Sequence, residues 1–174
     1  QDGAAVMSTP GDFDIGPLTW VKSEIDQALE RPLTALRAYA SNPDDSNQIR
    51  FSQTHFHQAH GALQIVGLDG VTRLSEELDG LLGDIVKAGG APKPEAVAAA
   101  EHAFAAITAY LDQLLVGEPN QPLKLFAVYR DVAKHFAGPN AMAALVEVPG
   151  LGRDQIGTFF EAAAAFYRRA PWRL

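Results

Sequence analysis

The chain has 174 residues, of which 47% are hydrophobic and 20% are charged, proportions typical of one globular domain or one domain with a small annex. Its formal net charge of -7 makes nucleic acid and anionic lipid surfaces unfavourable partners. The absence of cysteine excludes disulfides and thiolate chemistry.

Two further features of the sequence bear on where the protein works. The first residues, QDGAAVMSTPGDFD, have neither the basic region nor the apolar stretch of a secretory signal. No apolar run of membrane-spanning length is free of charged residues and histidine. We therefore expect no membrane insertion, and the absence of cysteine permits a reducing compartment.

Helical periodicity recurs along the chain and is interrupted by Gly, Pro and Asn, whereas strand patterns are nearly absent. The predicted helices cover residues 17–39, 47–66, 68–87, 95–116, 123–136 and 154–169. Pro32 falls inside the first of these and either kinks that helix or splits it into two. Four long amphipathic segments joined by short breaks predict an all-α fold.

The predicted helices divide the chain into three parts. Residues 1–16 are expected to be a disordered tail. Residues 17–116 are expected to form an antiparallel four-helix bundle. Residues 117–174 are expected to form a C-terminal helical annex of one or two helices.

The second predicted helix carries three of the five histidines of the chain, in the stretch FSQTHFHQAHGALQIVG. Its inward face is formed by apolar and small residues at spacings of three and four, namely Ile49, Ser52, Phe56, Ala59, Leu63 and Val66. His57 is excluded from this face and is predicted to project from the bundle, with His55 and His60 near its two borders.

Three interpretations of this stretch remain open. A metal site is disfavoured because only His57 and His60 have the spacing of ligands on one helix, and no carboxylate lies one turn away on that side. The histidines are otherwise ordinary surface residues, or His57 is a phosphoryl acceptor. Gly61 favours the last interpretation, because a glycine inside a helix costs about 1 kcal/mol relative to alanine and leaves room for an approaching group.

The segment HQAHGALQIVG resembles the histidine-phosphotransfer (HPt) motif, in which glycines follow the histidine at fixed spacings. The resemblance implies that His57 is the phosphoacceptor, that Gly61 clears the approach and that Gly67 closes the helix. Gln53, Gln64 and His60 would then surround the phosphate. Two positions differ from the usual pattern: His60 stands where the family has Lys or Arg, and Ala62 where it often has Ser or Thr.

Three segments, LTWVKSEIDQAL, NPDDSNQIRFSQTHFHQAHGALQIV and QPLKLFAVYRDV, together resemble the N-terminal module of the type IV pilus chemosensory histidine kinases, the ChpA/PilL type. FimL-like scaffold proteins are similar. The resemblance covers about residues 17–135 and implies a cytoplasmic signalling module that controls twitching motility. Its implied partners are response-regulator receiver domains, a histidine kinase catalytic domain and pilus-pole scaffold proteins.

Two alternatives to phosphotransfer stay open at this point. The chain is a scaffold of the same ancestry that does not cycle phosphate, or an unrelated helical bundle without chemistry at His57. No cofactor-binding or metal-binding motif is indicated, and no catalytic ATP-binding domain is predicted. The acidic run SEELDG at 75–80 is interpreted as a solvated helix face.

Overall fold

The computed structural model describes residues 15–137 of the chain. The predicted helix at 154–169 and most of the predicted N-terminal tail lie outside the described residues. Five α-helices follow one another, with a short 3₁₀ helix, Pro122–Leu125, directly before the last of them. The α-helices are α1 (Gly16–Ser41), α2 (Ser46–Val66), α3 (Asp69–Ala88), α4 (Pro94–Leu115) and α5 (Phe126–Ala137). No strand occurs between residues 15 and 137, so the all-α prediction is confirmed.

The helix ends follow from local chemistry. Prolines lie in the first turns of α1 and α4, where a missing backbone N–H costs nothing. Gly67 closes α2 in the left-handed conformation, with a φ of 80° that residues with a Cβ rarely adopt. The prediction that Gly67 ends the helix of His57 is therefore confirmed.

Pro32 neither splits α1 nor ends it, because a single helix runs from Gly16 to Ser41. The ring is buried, and the Pro32 carbonyl accepts a hydrogen bond of 2.7 Å from the buried hydroxyl of Ser52 on α2. This bond satisfies a polar group inside the core and joins the two helices.

The helices pack around one apolar core. Helix α1 contacts α2 and α4, α3 contacts α2 and α4, and α5 packs against α3 and α4. Phe56 of α2 meets Phe104 of α4 edge to face, with ring centres 5.2 Å apart, and both side chains are buried. These aromatic rings hold α2 against the rest of the core, so residues on its outer side have a rigid support.

Polar contacts between buried or half-buried side chains join two of these helix pairs. Lys22 of α1 is buried and lies 2.6 Å from Asp26 and 2.6 Å from Asp112 of α4. Burial alone lowers the pKa of Lys22, but its hydrogen bonds to Asp112 and Asp26 outweigh burial and raise it. The Tyr129 hydroxyl of α5 donates to Glu77 of α3 at 3.4 Å, and burial raises the pKa of both groups.

None of the helices within residues 15–137 combines the length and the apolar character that a bilayer crossing requires.

Candidate functional site

His57 lies on the outer side of α2, where the sequence predicts it. Its neighbour Phe56 is fully buried, and one residue of helix rotates the next side chain by about 100° away from the core. The His57 side chain is 72% exposed. Because α2 is fixed by its buried face, the imidazole stands in solvent on a rigid helix.

The His57 ring is held by a carboxylate from the neighbouring helix. Its Nδ1 lies 3.0 Å from Oδ2 of Asp79 on α3, whose side chain is 22% exposed. An ionised carboxylate only accepts hydrogen bonds, so Nδ1 of His57 carries the proton and donates it. No other hydrogen bond or ion pair reaches His57 from the described residues, and Nε2 therefore keeps a free lone pair.

Asp79 is well placed to respond to charge on the imidazole. Its second oxygen, Oδ1, is buried and has no hydrogen-bond partner among residues 15–137. A carboxylate with one unsatisfied oxygen gains more from a positive neighbour than one already surrounded by donors. The pair is therefore suited to stabilise a cationic imidazole formed when Nε2 bonds to an electrophile.

His60 lies one turn after His57, with ring centres 6.4 Å apart. Its side chain is buried, only 8% of the residue being exposed, so it lies deeper than the border position that the periodicity indicates. Its Nδ1 is 2.5 Å from Oγ of Ser75 on α3. The Ser75 hydroxyl donates in turn to the Thr72 carbonyl at 2.8 Å.

Gly61 provides open space beside His57. A Cβ added at this position would meet no atom within 4 Å, so no contact inside the described chain requires a glycine here. The cost of a glycine inside a helix is then not offset by internal packing. The geometry is compatible with an approaching group, as the resemblance to the HPt motif implies.

The two glutamines of the predicted site occupy different places. Gln64 is exposed on α2, one turn beyond Gly61. Gln53 is half-buried and turns towards α3, where its Nε2 lies 3.0 Å from the position that a Cβ of Gly83 would take. Gln53 is thus packed against the neighbouring helix, whereas Gln64 is freely accessible.

Helices α2 and α3 therefore meet along a polar seam that runs beside the core. The pairs that form this seam are Gln53 with Gly83, His57 with Asp79, and His60 with Ser75. The α2 numbers rise as the α3 numbers fall, so these two helices run in opposite directions. The sequence interpretation considered Asp79 only as a partner of Asp69, and it missed the contacts of Asp79 with His57 and of Ser75 with His60.

A signal for these partners was present in the sequence. Two adjacent helices joined by the short turn at Gly67 and Leu68 must pair residues at similar distances on either side of the turn. Counting outward from that turn places Asp79 within one residue of the position opposite His57. The acidic run at 75–80 was interpreted as a solvated face, but its members differ: Glu76 is exposed, whereas Glu77 and Asp79 are half-buried and partnered.

His55 points away from this seam, and its ring lies tilted against Phe51 with ring centres 3.9 Å apart. Across residues 15–137 no group of three or more His, Asp or Glu side chains is arranged to hold a metal ion. The site consists of a single accessible imidazole with an anchored Nδ1, a free Nε2 and an open side. Such a group is a nucleophile for a small electrophile carried by another molecule.

Comparison with protein families, with curated proteins and with solved structures finds no match to this chain.

Proposed function

We propose that this chain is a histidine-phosphotransfer module in which Nε2 of His57 accepts a phosphoryl group from a receiver or kinase domain and passes it on. The observation that carries the proposal is the state of the His57 ring. The ring is exposed, its Nδ1 is held by Asp79 at 3.0 Å, its Nε2 makes no hydrogen bond to residues 15–137, and a Cβ added at Gly61 would meet no atom within 4 Å.

The chemistry follows from this geometry. Nε2 attacks the phosphorus of an aspartyl phosphate, the N–P bond forms while the P–O bond to the donor breaks, and the donor carboxylate leaves with the electron pair. The imidazole keeps its Nδ1 proton and becomes cationic. Asp79 neutralises that charge, and in the reverse direction it releases the ring as a neutral leaving group.

The fold supports the same proposal. Four long helices with a buried face each, and α2 and α3 in opposite directions, agree with an antiparallel four-helix bundle of the HPt type. Such a module needs no ATP-binding domain of its own, because the partner supplies the phosphoryl group. The sequence resemblance further suggests a cytoplasmic type IV pilus chemosensory pathway that controls twitching motility.

The test uses a receiver domain labelled on its aspartate, or a histidine kinase with ATP, incubated with the whole chain. Acid-labile label is expected on the wild type and on His55→Gln, and is expected to be absent from His57→Gln. His55 is the matched control because it lies on the same helix but its ring contacts Phe51. Equal labelling of both variants would contradict the proposal.

A second candidate function is an interaction scaffold that does not carry phosphate. It is favoured by Trp20 and Ile65, two large apolar side chains that are each 86% exposed and therefore available to a protein partner. A scaffold predicts that a receiver or pilus-pole protein binds equally well to wild type and His57→Gln, with no label on either. Binding weakened by Trp20→Ala or Ile65→Ala would support this alternative.

A further inference from the structure

A groove runs between α1 and α4 on the outside of the helices. Its volume is about 410 Å³, which lies within the range of pockets that bind ligands. The buried side chains of Leu29 and Phe104 form its floor, and Leu33 lies half-buried beside them. The small exposed side chains of Ala105 and Ala109 form the wall on α4. Within residues 15–137 the groove is lined by α1 and α4 alone, so it is an apolar depression that the described helices leave open.

The rim of this groove is acidic. Asp26 and Glu30 of α1 and Asp112 of α4 line it, and no Lys or Arg is among the lining residues. Asp26 and Asp112 share the buried ammonium group of Lys22, each at 2.6 Å. Glu30 is exposed and makes no hydrogen bond or ion pair with residues 15–137. An occupant that combines apolar groups with positive charge therefore matches the groove.

The end of the same chain carries this matching chemistry. Residues 166–173, FYRRAPWR, contain three aromatic side chains, three arginines and no acidic residue, although the net charge of the whole chain is -7. Aromatic rings supply large apolar contact areas, and arginine binds carboxylates through two parallel hydrogen bonds. The composition of this segment complements an apolar groove with an acidic rim.

The segment is long enough to reach the groove. Helix α5 ends at Ala137 and packs against α4, which forms one wall of the groove. Residues 138–153, which precede the predicted helix at 154–169, can extend over about 50 Å. Helix α4 has 22 residues and is therefore about 33 Å long. Every point along the groove is within reach, and attachment to the same chain gives the segment a high effective concentration there.

We propose that the groove between α1 and α4 binds residues 166–173 of the same chain, with an aromatic side chain in the apolar depression and arginines against the acidic rim. Helix α1 contacts α2 and α4, and α3 contacts the same two helices, so this groove lies across the core from the seam of α2 and α3. His57 therefore stays accessible when the groove is filled. The inference is independent of the proposed phosphotransfer function.

The test uses disulfide formation between two introduced cysteines in the whole chain, which has no cysteine of its own. One cysteine replaces Ala170, which lies between the arginines of the segment. The second replaces Ala109 in the groove or, as the matched control, Ala127 of α5, which is exposed but does not line the groove. Ala127 is a strict control because it is closer along the chain to the segment than Ala109 is.

The chain with cysteines at 109 and 170 should form its intrachain disulfide about tenfold faster than the chain with cysteines at 127 and 170, when both are oxidised with diamide in dilute solution. Glu30→Lys in the first protein should slow the reaction about threefold, because it reverses a charge on the rim. Glu24→Lys makes the same change of charge on α1 outside the groove and should leave the rate unchanged.

Equal rates for the two cysteine pairs would overturn the proposal. A disulfide between two chains, with a yield that rises with protein concentration, would also overturn it, because a second copy would then occupy the groove. If Glu30→Lys and Glu24→Lys react at equal rates, the acidic rim does not bind the arginines and the proposed recognition fails. Circular dichroism of each variant confirms that the helices are intact before rates are compared.

Discussion

Replacement of Gly61 by alanine should stabilise the fold but slow phosphoryl transfer from a partner domain. The built Cβ meets nothing within 4 Å, and Gly61 lies inside α2 rather than at its end. Alanine is favoured over glycine in a helix interior by about 1 kcal/mol, so Gly61→Ala should raise the free energy of unfolding by that amount. For a domain of this size the melting temperature should rise by about 3–6 °C.

The functional cost should depend on the size of the donor. A receiver domain that packs against α2 meets the new methyl group and should transfer phosphoryl about tenfold more slowly to Gly61→Ala, the rate equivalent of about 1.4 kcal/mol. Phosphoramidate needs little room and should label wild type and variant at similar rates. Thermal melting by circular dichroism and the two labelling assays measure these quantities.

Gly83→Ala is the matched control for the stability measurement. Its added Cβ would lie 3.0 Å from Nε2 of Gln53, so that side chain must shift and part of the helical gain is lost. A smaller rise in melting temperature than for Gly61→Ala is therefore expected. If Gly61→Ala melts at or below the wild-type temperature, the space beside His57 is not open and the reasoning fails.

Three more predictions test the site and its support. Asp79→Asn should slow phosphoramidate labelling of His57 about tenfold, because an amide stabilises the cationic imidazole less than a carboxylate does. An unchanged rate would show that the 3.0 Å contact between Asp79 and His57 does not contribute to the reaction. Burial raises the pKa of Glu77 above its ordinary value of 4.5, so above pH 4.5 the ionised side chain opposes folding. Glu77→Gln should therefore raise the melting temperature at pH 7. This gain should vanish as the pH falls towards 4.5. If Glu77→Gln differed from the wild type in melting temperature by the same amount at pH 7 and pH 4.5, the raised pKa of Glu77 would be contradicted. Phe104→Ala should lower the free energy of unfolding by about 3–5 kcal/mol in urea denaturation, because the ring is 1% exposed and packs on Phe56.

Much of the helical architecture could be predicted from periodicity and turn residues. The face of α2 that carries Ile49, Phe56 and Leu63 is buried as its spacing indicates, and Gly67 ends that helix. The start of the fifth helix was less accessible to prediction. Residues 122–125 form a 3₁₀ turn whose Pro122 approaches Gly70 of α3, a tertiary contact that sequence spacing does not reveal.

The sequence predicted the exposure of His57, which depends on one helix alone, but not the side chains that a second helix brings to it. The exposure of His57 follows from its angle relative to Phe56, but Asp79 and Ser75 act from α3 and depend on how two helices align. His60 shows the same limit, since its angle indicates a border position while the packing of α3 buries it against Ser75. The pairing of residues across two helices depends on tertiary packing, and the hydrophobic periodicity of one helix does not determine it.

The most direct test of the account is the identity of the nitrogen that is phosphorylated. The whole chain is treated with phosphoramidate, and ³¹P and ¹⁵N NMR of histidine-labelled protein assign the bonded atom. Because Asp79 holds Nδ1 of His57, the account predicts one phosphoryl group per chain, on Nε2 of His57, and none in His57→Gln. Phosphorylation on Nδ1, or equal labelling of wild type and His57→Gln, would contradict it.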